Sequence, residues 1–235
     1  MRETIIYVEN LQKIYGGVTV LQIPALQIAK GEIFGLVGNN GAGKTTLFRC
    51  LLDLIRPAAG FVRSKGECVQ GSEHWKCYTG SYLDEGFLID YLTPEEYFDF
   101  LGKTRRMSND DVQDFIRKMS DFFNDEVMGK NKYIRDFSKG NQKKIGIAAA
   151  LIGEPELLIL DEPFTNLDPS SQIRLKRMLL ELNQQSGTTM LISSHDLKHM
   201  TEISSRIVAL QKGLAVHDLQ TNEHTLRELE AFFAV

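Results

Sequence analysis

Gly38-Asn39-Asn40-Gly41-Ala42-Gly43-Lys44-Thr45 follows the apolar run Ile33-Phe34-Gly35-Leu36-Val37 and leads into Thr46-Leu47-Phe48-Arg49-Cys50-Leu51-Leu52. The five-residue apolar run reads as a buried strand, and the apolar residues after the loop recur at helical spacing. Strand, glycine-rich turn and helix is the context a phosphate-binding loop requires. Its glycines let backbone N–H groups converge without a Cβ in the way. The first helical turn adds unsatisfied amides and the positive end of the helix dipole. In such a loop Lys44 reaches the β- and γ-phosphates and the Thr45 hydroxyl ligates Mg²⁺. Gly38 to Thr46 is therefore expected to hold a nucleoside triphosphate.

With 235 residues the chain can bury one good core, or a core plus a small lobe. A hydrophobic fraction of 43% and a charged fraction of 25% are those of a globular protein in water. The net charge of −4 argues against nucleic acid as the main partner. The longest apolar run, Ile145 to Gly153, is about half of what spans a bilayer. Met1-Arg2-Glu3-Thr4 opens directly into a strand-like segment with no signal-peptide core. Cys50, Cys68 and Cys77 show no C-x-x-C spacing, so reduced thiols are expected rather than a disulfide frame or zinc site.

Ile5-Ile6-Tyr7-Val8 and the alternating Leu26 and Ile28 predict strands on either side of a turn at Tyr15-Gly16-Gly17. Phe61-Val62 and Ser81-Tyr82-Leu83 are further strand candidates. From residue 86 to 137 the texture changes to aromatic-rich helices. Thr93-Pro94-Glu95-Glu96 supplies an N-cap, a first-turn proline and a capping-box glutamate. A second helix is predicted from Ser108, with Val112, Phe115, Ile116, Met119 and Phe122 on one face. Residues 86–137 thus read as a helical subdomain inserted in a single domain covering 1–235. Phe87, Leu88, Tyr91, Phe98 and Phe100 within it offer an apolar docking surface if they are not core. Beyond lie a helix from Gly140 to Ile152, the strand Leu157–Leu160, a helix from Pro169 to about Gln185, the strand Thr189–Ser193 and a helix from Asp196.

Leu157-Leu158-Ile159-Leu160-Asp161-Glu162 ends a strand with two carboxylates. Asp161 is placed to hold Mg²⁺ opposite Thr45, and Glu162 to orient or polarise an attacking water. About a dozen residues earlier stands Phe137-Ser138-Lys139-Gly140-Asn141-Gln142, where a serine hydroxyl and glycine amides begin a helix. Here the chain resembles the nucleotide-binding subunits of ATP-binding-cassette (ABC) transporters, over roughly residues 3–218. Their signature reads Leu-Ser-Gly-Gly-Gln; Ser138 and Gly140 match it, whereas Phe137, Lys139 and Asn141 depart. The spacing from Asp161-Glu162 to Leu167-Asp168 is similar to the family's D-loop, and Ser193-Ser194-His195-Asp196 to its switch-histidine segment.

The resemblance implies an α/β fold with a P-loop core, an antiparallel β subdomain and an inserted helical subdomain. It implies ATP and Mg²⁺ as ligands, adenine stacked on Tyr15, and the γ-phosphate contacted by His195. Ser138 and Gly140 would face the nucleotide of an opposing cassette. Catalysis would rest on Glu162, His195 and Lys44, and the metal on Thr45, Asp161 and Asp84. Asp84 replaces the usual Gln of the family's Q-loop, and Glu85 takes that role if the loop registers one residue later. An acidic residue there tilts the reading towards an exporter. The implied partners are a second cassette, identical or paralogous, and a separate integral membrane subunit. Such a protein would be cytoplasmic, peripheral on the inner face of the membrane. The alternative is a regulatory or degenerate ATP-binding scaffold.

Overall fold

The computed structural model describes residues 3–234. One ten-stranded sheet carries the architecture, and it changes character along its width. On one side β1 (Thr4–Tyr15) and β2 (Val18–Ala29) form a long antiparallel hairpin through the two-residue turn Gly16-Gly17. β4 (Ala59–Ser64) pairs with β1, and the two-residue β5 (Glu67–Cys68) closes that edge. On the other side five strands run parallel: β6 (Thr79–Tyr82), β7 (Leu157–Asp161), β8 (Thr189–Ser194), β3 (Ile33–Val37) and β9 (Arg206–Gln211). β10 (Leu214–Gln220) turns back antiparallel on β9 and touches β2 at Leu214–Gln22.

β3, β7 and β8 are buried along their whole length, which is why each reads as a continuous apolar run. Alternation still sorts their side chains. Ile33, Val37, Leu158, Leu160, Met190 and Ile192 face one core, shared with the helical segment. Phe34, Leu36, Leu157, Ile159 and Leu191 face a second core beneath the antiparallel half. The register sets Asp161 beside Ser193, and Val37 beside Ser194. The carboxyl ends of β3, β7 and β8 therefore finish together, the edge at which open parallel sheets build sites.

Eight α-helices are described: α1 (Lys44–Leu51), α2 (Pro94–Thr104), α3 (Asn109–Lys118), α4 (Ser120–Phe123), α5 (Lys139–Leu151), α6 (Pro169–Ser186), α7 (Leu197–Ile203) and α8 (Thr225–Phe233). Both capping boxes form: Thr93 caps α2 with Glu96 returning the bond, and Ser108 caps α3 with Asp111. The continuous second helix expected from Ser108 does not form, because the chain breaks at Met119 and restarts as α4. The tilted second piece sets Asp121 beside Arg174 and Arg177 of α6 while keeping Phe122 and Phe123 buried. α5 begins at Lys139, not Gly140, and ends one residue short of Ile152, whose backbone is extended.

Of the aromatic side chains in the helical segment, Phe98 is core, whereas Phe87, Tyr91 and Phe100 are exposed and Leu88 is partly buried. All three cysteines are free. Among the described residues no helix is long and apolar enough to cross a membrane.

Candidate functional site

Between β3 and α1 the chain must turn sharply, and Gly43, the α1 N-cap, takes φ 107°, a conformation that side-chain-bearing residues rarely adopt. The turn delivers Lys44 and Thr45 to the first positions of α1. Lys44 is only 6% exposed, and its ammonium curls back to donate to the Gly38 carbonyl at 2.7 Å. Thr45 Oγ1 donates to Asp161 Oδ2 at 2.5 Å, joining residues from the two ends of the P-loop core. The other Asp161 oxygen accepts the Ser193 hydroxyl from the next strand.

Glu162 lies one residue past the tip of β7, with φ 48°. Its carboxylate bridges two cationic or potentially cationic groups. Oε1 sits 3.2 Å from Lys44 Nζ, an ion-pair contact without hydrogen-bond geometry, and Oε2 sits 2.9 Å from His195 Nδ1. The His195 backbone N–H approaches the same Oε2 at 3.3 Å. A cavity of about 300 Å³ opens over Lys44 and Glu162, lined by Tyr15, Val20, Asn40 to Thr46 and Glu162; Gly38, Asn39, Asp161 and His195 do not line it. Tyr15, half exposed at the end of β1, forms its outer wall, with the Lys13 ammonium 4.7 Å from its ring centre.

Burial is the main influence on Asp161 and pushes its carboxyl pKa up; the Ser193 and Thr45 hydroxyls oppose it, as does the Lys44 charge, and Glu162 adds to it. A cation would favour the ionised form. The Thr45 hydroxyl and Asp161 carboxylate are hard oxygen donors, as Mg²⁺ prefers, and Mg²⁺ usually completes its shell with water and phosphate. That fits what is present, since among the described residues no cluster of three His, Cys, Asp or Glu side chains forms a self-sufficient metal cage.

Asp84, Ser138 and Gly140 do not line this cavity. Asp84 Oδ1 accepts the Gly86 N–H at 2.8 Å, capping a short turn, and Oδ2 stands 3.7 Å from Arg49. Its neighbour Glu85 accepts the Tyr82 hydroxyl at 2.9 Å, and burial, reinforced by this carboxylate, drives the Tyr82 pKa far up. Ser138 caps α5 by accepting the Asn141 N–H at 3.2 Å, and the Lys139 ammonium reaches Gln142 Oε1 at 3.3 Å. A Cβ on Gly140 would stand 2.7 Å from the Asn166 carbonyl oxygen, so the start of α5 is fitted against the loop that follows Glu162. Two residues in or beside the site have a contact that the sequence does not declare. Ser193 stands in the Ser193-Ser194-His195 segment, but its bond to Asp161 is found only through the pairing of β7 with β8. Lys143 lies in the polar first half of α5, between Gln142 and Lys144, and only its burial in the structure sets it apart from a solvent-facing lysine.

Residues 21–165 match the ABC transporter family by sequence. The chain is 37% identical to the bacitracin transport ATP-binding protein of Enterococcus faecalis over 94% of its own length and 71% of that protein. It is 36% identical to an uncharacterised ABC transporter ATP-binding protein of Methanocaldococcus jannaschii, covering 90% of this chain and 76% of the relative. A third relative, from Synechocystis, is matched at 35% identity over 80% of this chain and only 53% of its own length. A solved ATP-binding cassette, dimeric and bound to ADP and phosphate after hydrolysis, superposes with a TM-score of 0.83 at 22% identity, covering 93% of this chain and 99% of that one. An ATP-binding subunit of an ABC transporter superposes with a TM-score of 0.81 at 25% identity, covering 98% and 94%. This chain belongs to the ABC transporter family and has the cassette fold of its ATP-binding subunits.

Proposed function

We propose that the chain binds ATP with Mg²⁺ across the phosphate loop and hydrolyses it to drive a membrane transporter. The observation that carries this reading is the Glu162 carboxylate, held between Lys44 and His195 above a loop built to receive phosphate. In the nucleotide-bound state Lys44 exchanges its contact with Glu162 for the β- and γ-phosphates, a charge-assisted substitution in a partly dehydrated site. Glu162, released from that pair, orients or deprotonates the attacking water. His195 keeps contact with the terminal phosphate, and Tyr15 offers its face to the adenine ring. Thr45 and Asp161, with Asp84 as a third candidate, would hold Mg²⁺, which supplies positive charge opposite the leaving phosphate.

Ser138 and Gly140 lie outside the cavity of their own chain, and this supports a shared site completed by a second cassette. Transport needs a separate membrane subunit, for which the exposed Phe87, Tyr91 and Phe100 offer an apolar face. On this reading the chain works in the cytoplasm, on the inner face of the membrane. The acidic Asp84 favours export, and one relative is named for bacitracin transport.

Glu162→Gln tests the assignment. Steady-state hydrolysis is expected to fall by about two orders of magnitude or more, while ATP binding persists. Trapped nucleotide should accumulate a stable dimer, visible by light scattering. A parental rate in this variant would mean that Glu162 is not the catalytic carboxylate.

A further inference from the structure

We infer that Lys143 is a positioning residue for Glu162: its buried ammonium clamps the Glu162 backbone and so aims the carboxylate at Lys44 and His195. The inference rests on the reading of Glu162 given above. Lys143 lies in α5 and is 4% exposed. Its Nζ donates to the Glu162 carbonyl at 2.8 Å and to Thr165 Oγ1 at 2.6 Å. The Thr165 hydroxyl in turn donates to the same Glu162 carbonyl at 2.8 Å. On the other side of the residue, the Glu162 N–H donates to Ser193 Oγ at 3.0 Å. Both polar groups of the Glu162 backbone are therefore fixed, one from α5 and one from β8.

The clamp has something to oppose. At φ 48° Glu162 occupies the left-handed region, which is costly for a non-glycine residue unless its surroundings hold it there. Without the clamp the backbone can relax to negative φ, and the side chain then leaves by a different vector.

The choice of lysine is itself informative. Among the described residues the Lys143 ammonium forms no ion pair within 4 Å; its partners are a neutral carbonyl and a hydroxyl. Burial pushes its pKa down, while the charges of Glu85, Glu162 and Asp161 pull it back up. A buried charge without an adjacent counter-charge is expensive, so a space-filling role alone would be better served by methionine or leucine. A lysine does what an apolar residue cannot, because its ammonium donates to the carbonyl of a turn on another element.

Single-turnover and steady-state hydrolysis of MgATP by the full chain tests the assignment. Lys143→Met, Lys143→Gln and Thr165→Val are each made alone and in the Glu162→Gln background. Lys143→Met is expected to lower kcat about tenfold to a hundredfold, the scale of a misplaced catalytic group. MgATP affinity should stay within about twofold, the pattern of a defect confined to the transition state. Lys143→Gln, whose amide can still donate to the Glu162 carbonyl, should recover part of the loss. Thr165→Val should show a smaller fall of the same kind. In the Glu162→Gln background neither Lys143→Met nor Thr165→Val should cost anything further, because the clamp acts only through that carboxylate. A Lys143→Met that hydrolyses at the parental rate overturns the inference. So does one whose loss is the same factor with and without Glu162, or one that loses affinity in step with kcat. If Lys143→Met does not fold, Thr165→Val and Lys143→Gln decide by the same criterion. Slow hydrolysis in Glu162→Gln with parental rates in all three clamp variants sinks the clamp alone; a parental Glu162→Gln sinks both readings.

Discussion

Around the tips of β3, β7 and β8 the polar side chains find partners far away in sequence, Thr45 with Asp161 and Glu162 with Lys44 and His195. At the start of α5 the pairing is local: Ser138 takes an amide three residues on, and Lys139 reaches only Gln142. The first region is a network complete within one chain and pinned by the sheet. In the second, the opening amides at Lys139 and Gly140 lack an intrahelical acceptor, as at any helix N-terminus. The contrast teaches that the two halves of the proposed hydrolytic site differ in what finishes them. One is finished by folding, and the other, on the proposed reading, would be finished by a phosphate that a second cassette brings.

Breaking the first region should have the largest effect. Lys44→Ala removes the cation facing the phosphates from a site that is 6% exposed, and hydrolysis should become undetectable. The rise in melting temperature on adding MgATP should largely vanish, since it reports binding to the native state. An unchanged rise would mean the loop does not hold the phosphates.

Ser138→Arg breaks the second region and should leave that thermal shift nearly intact. It should abolish ATP-driven dimerisation in the Glu162→Gln background, as read by size exclusion with light scattering. A surviving dimer would make Ser138 a helix cap and nothing more.

The contact between the two regions is the next target. Gly140→Ala must displace either α5 or the Asn166 backbone, since the new Cβ would stand 2.7 Å from the Asn166 carbonyl oxygen. Overpacking of this kind costs about 1–3 kcal/mol, measurable by urea unfolding. An unchanged midpoint would show that the two segments separate freely.

The smallest effect is expected at the cap of α6. Asp168 accepts the backbone amides of Ser170 and Ser171, both at 3.0 Å, and both hydroxyls as well. The Ser170 hydroxyl foremost, with Ser171, holds its pKa well below the usual carboxylate range. Asp168→Ala should cost about 1 kcal/mol at neutral pH. Because the folded pKa is depressed, this contribution is fully present above the ordinary carboxylate pKa of about 4 and fades as the pH drops towards the folded value. Parental and variant stabilities should therefore converge as the pH falls below about 4; a gap that does not narrow from about pH 4 towards pH 2 would disprove the capping argument.

The phosphate loop could be read from the chain because its chemistry is local: three glycines, a lysine and a threonine between a strand and a helix. Asp161 and Glu162 could be read for the same reason, as carboxylates at the end of an apolar run. The contacts of Lys143 and Ser193 could not, since they depend on how α5 packs and on which strand lies beside β7. The break at Met119 was invisible because Val112, Phe115, Ile116, Met119 and Phe122 fit an unbroken helix equally well. Of the β9–β10 hairpin, β9 carries the plain apolar run Ile207 to Leu210, and only β10, almost wholly exposed and lacking an apolar alternation, gave too little signal.

The strand order has a consequence for how such a chain is made. β3 ends at Val37, but its two neighbours in the sheet, β8 and β9, begin only at Thr189 and Arg206. The phosphate loop therefore leaves the ribosome early with no flanking strand to dock on, while the β1–β2 hairpin can already close. Contacts of such sequence separation are slow to form, and an unpaired apolar strand is a hazard while it waits. Ribosome-bound chains halted before Thr189 should leave β3 open to protease or chaperone, and those extended past Gln211 should not.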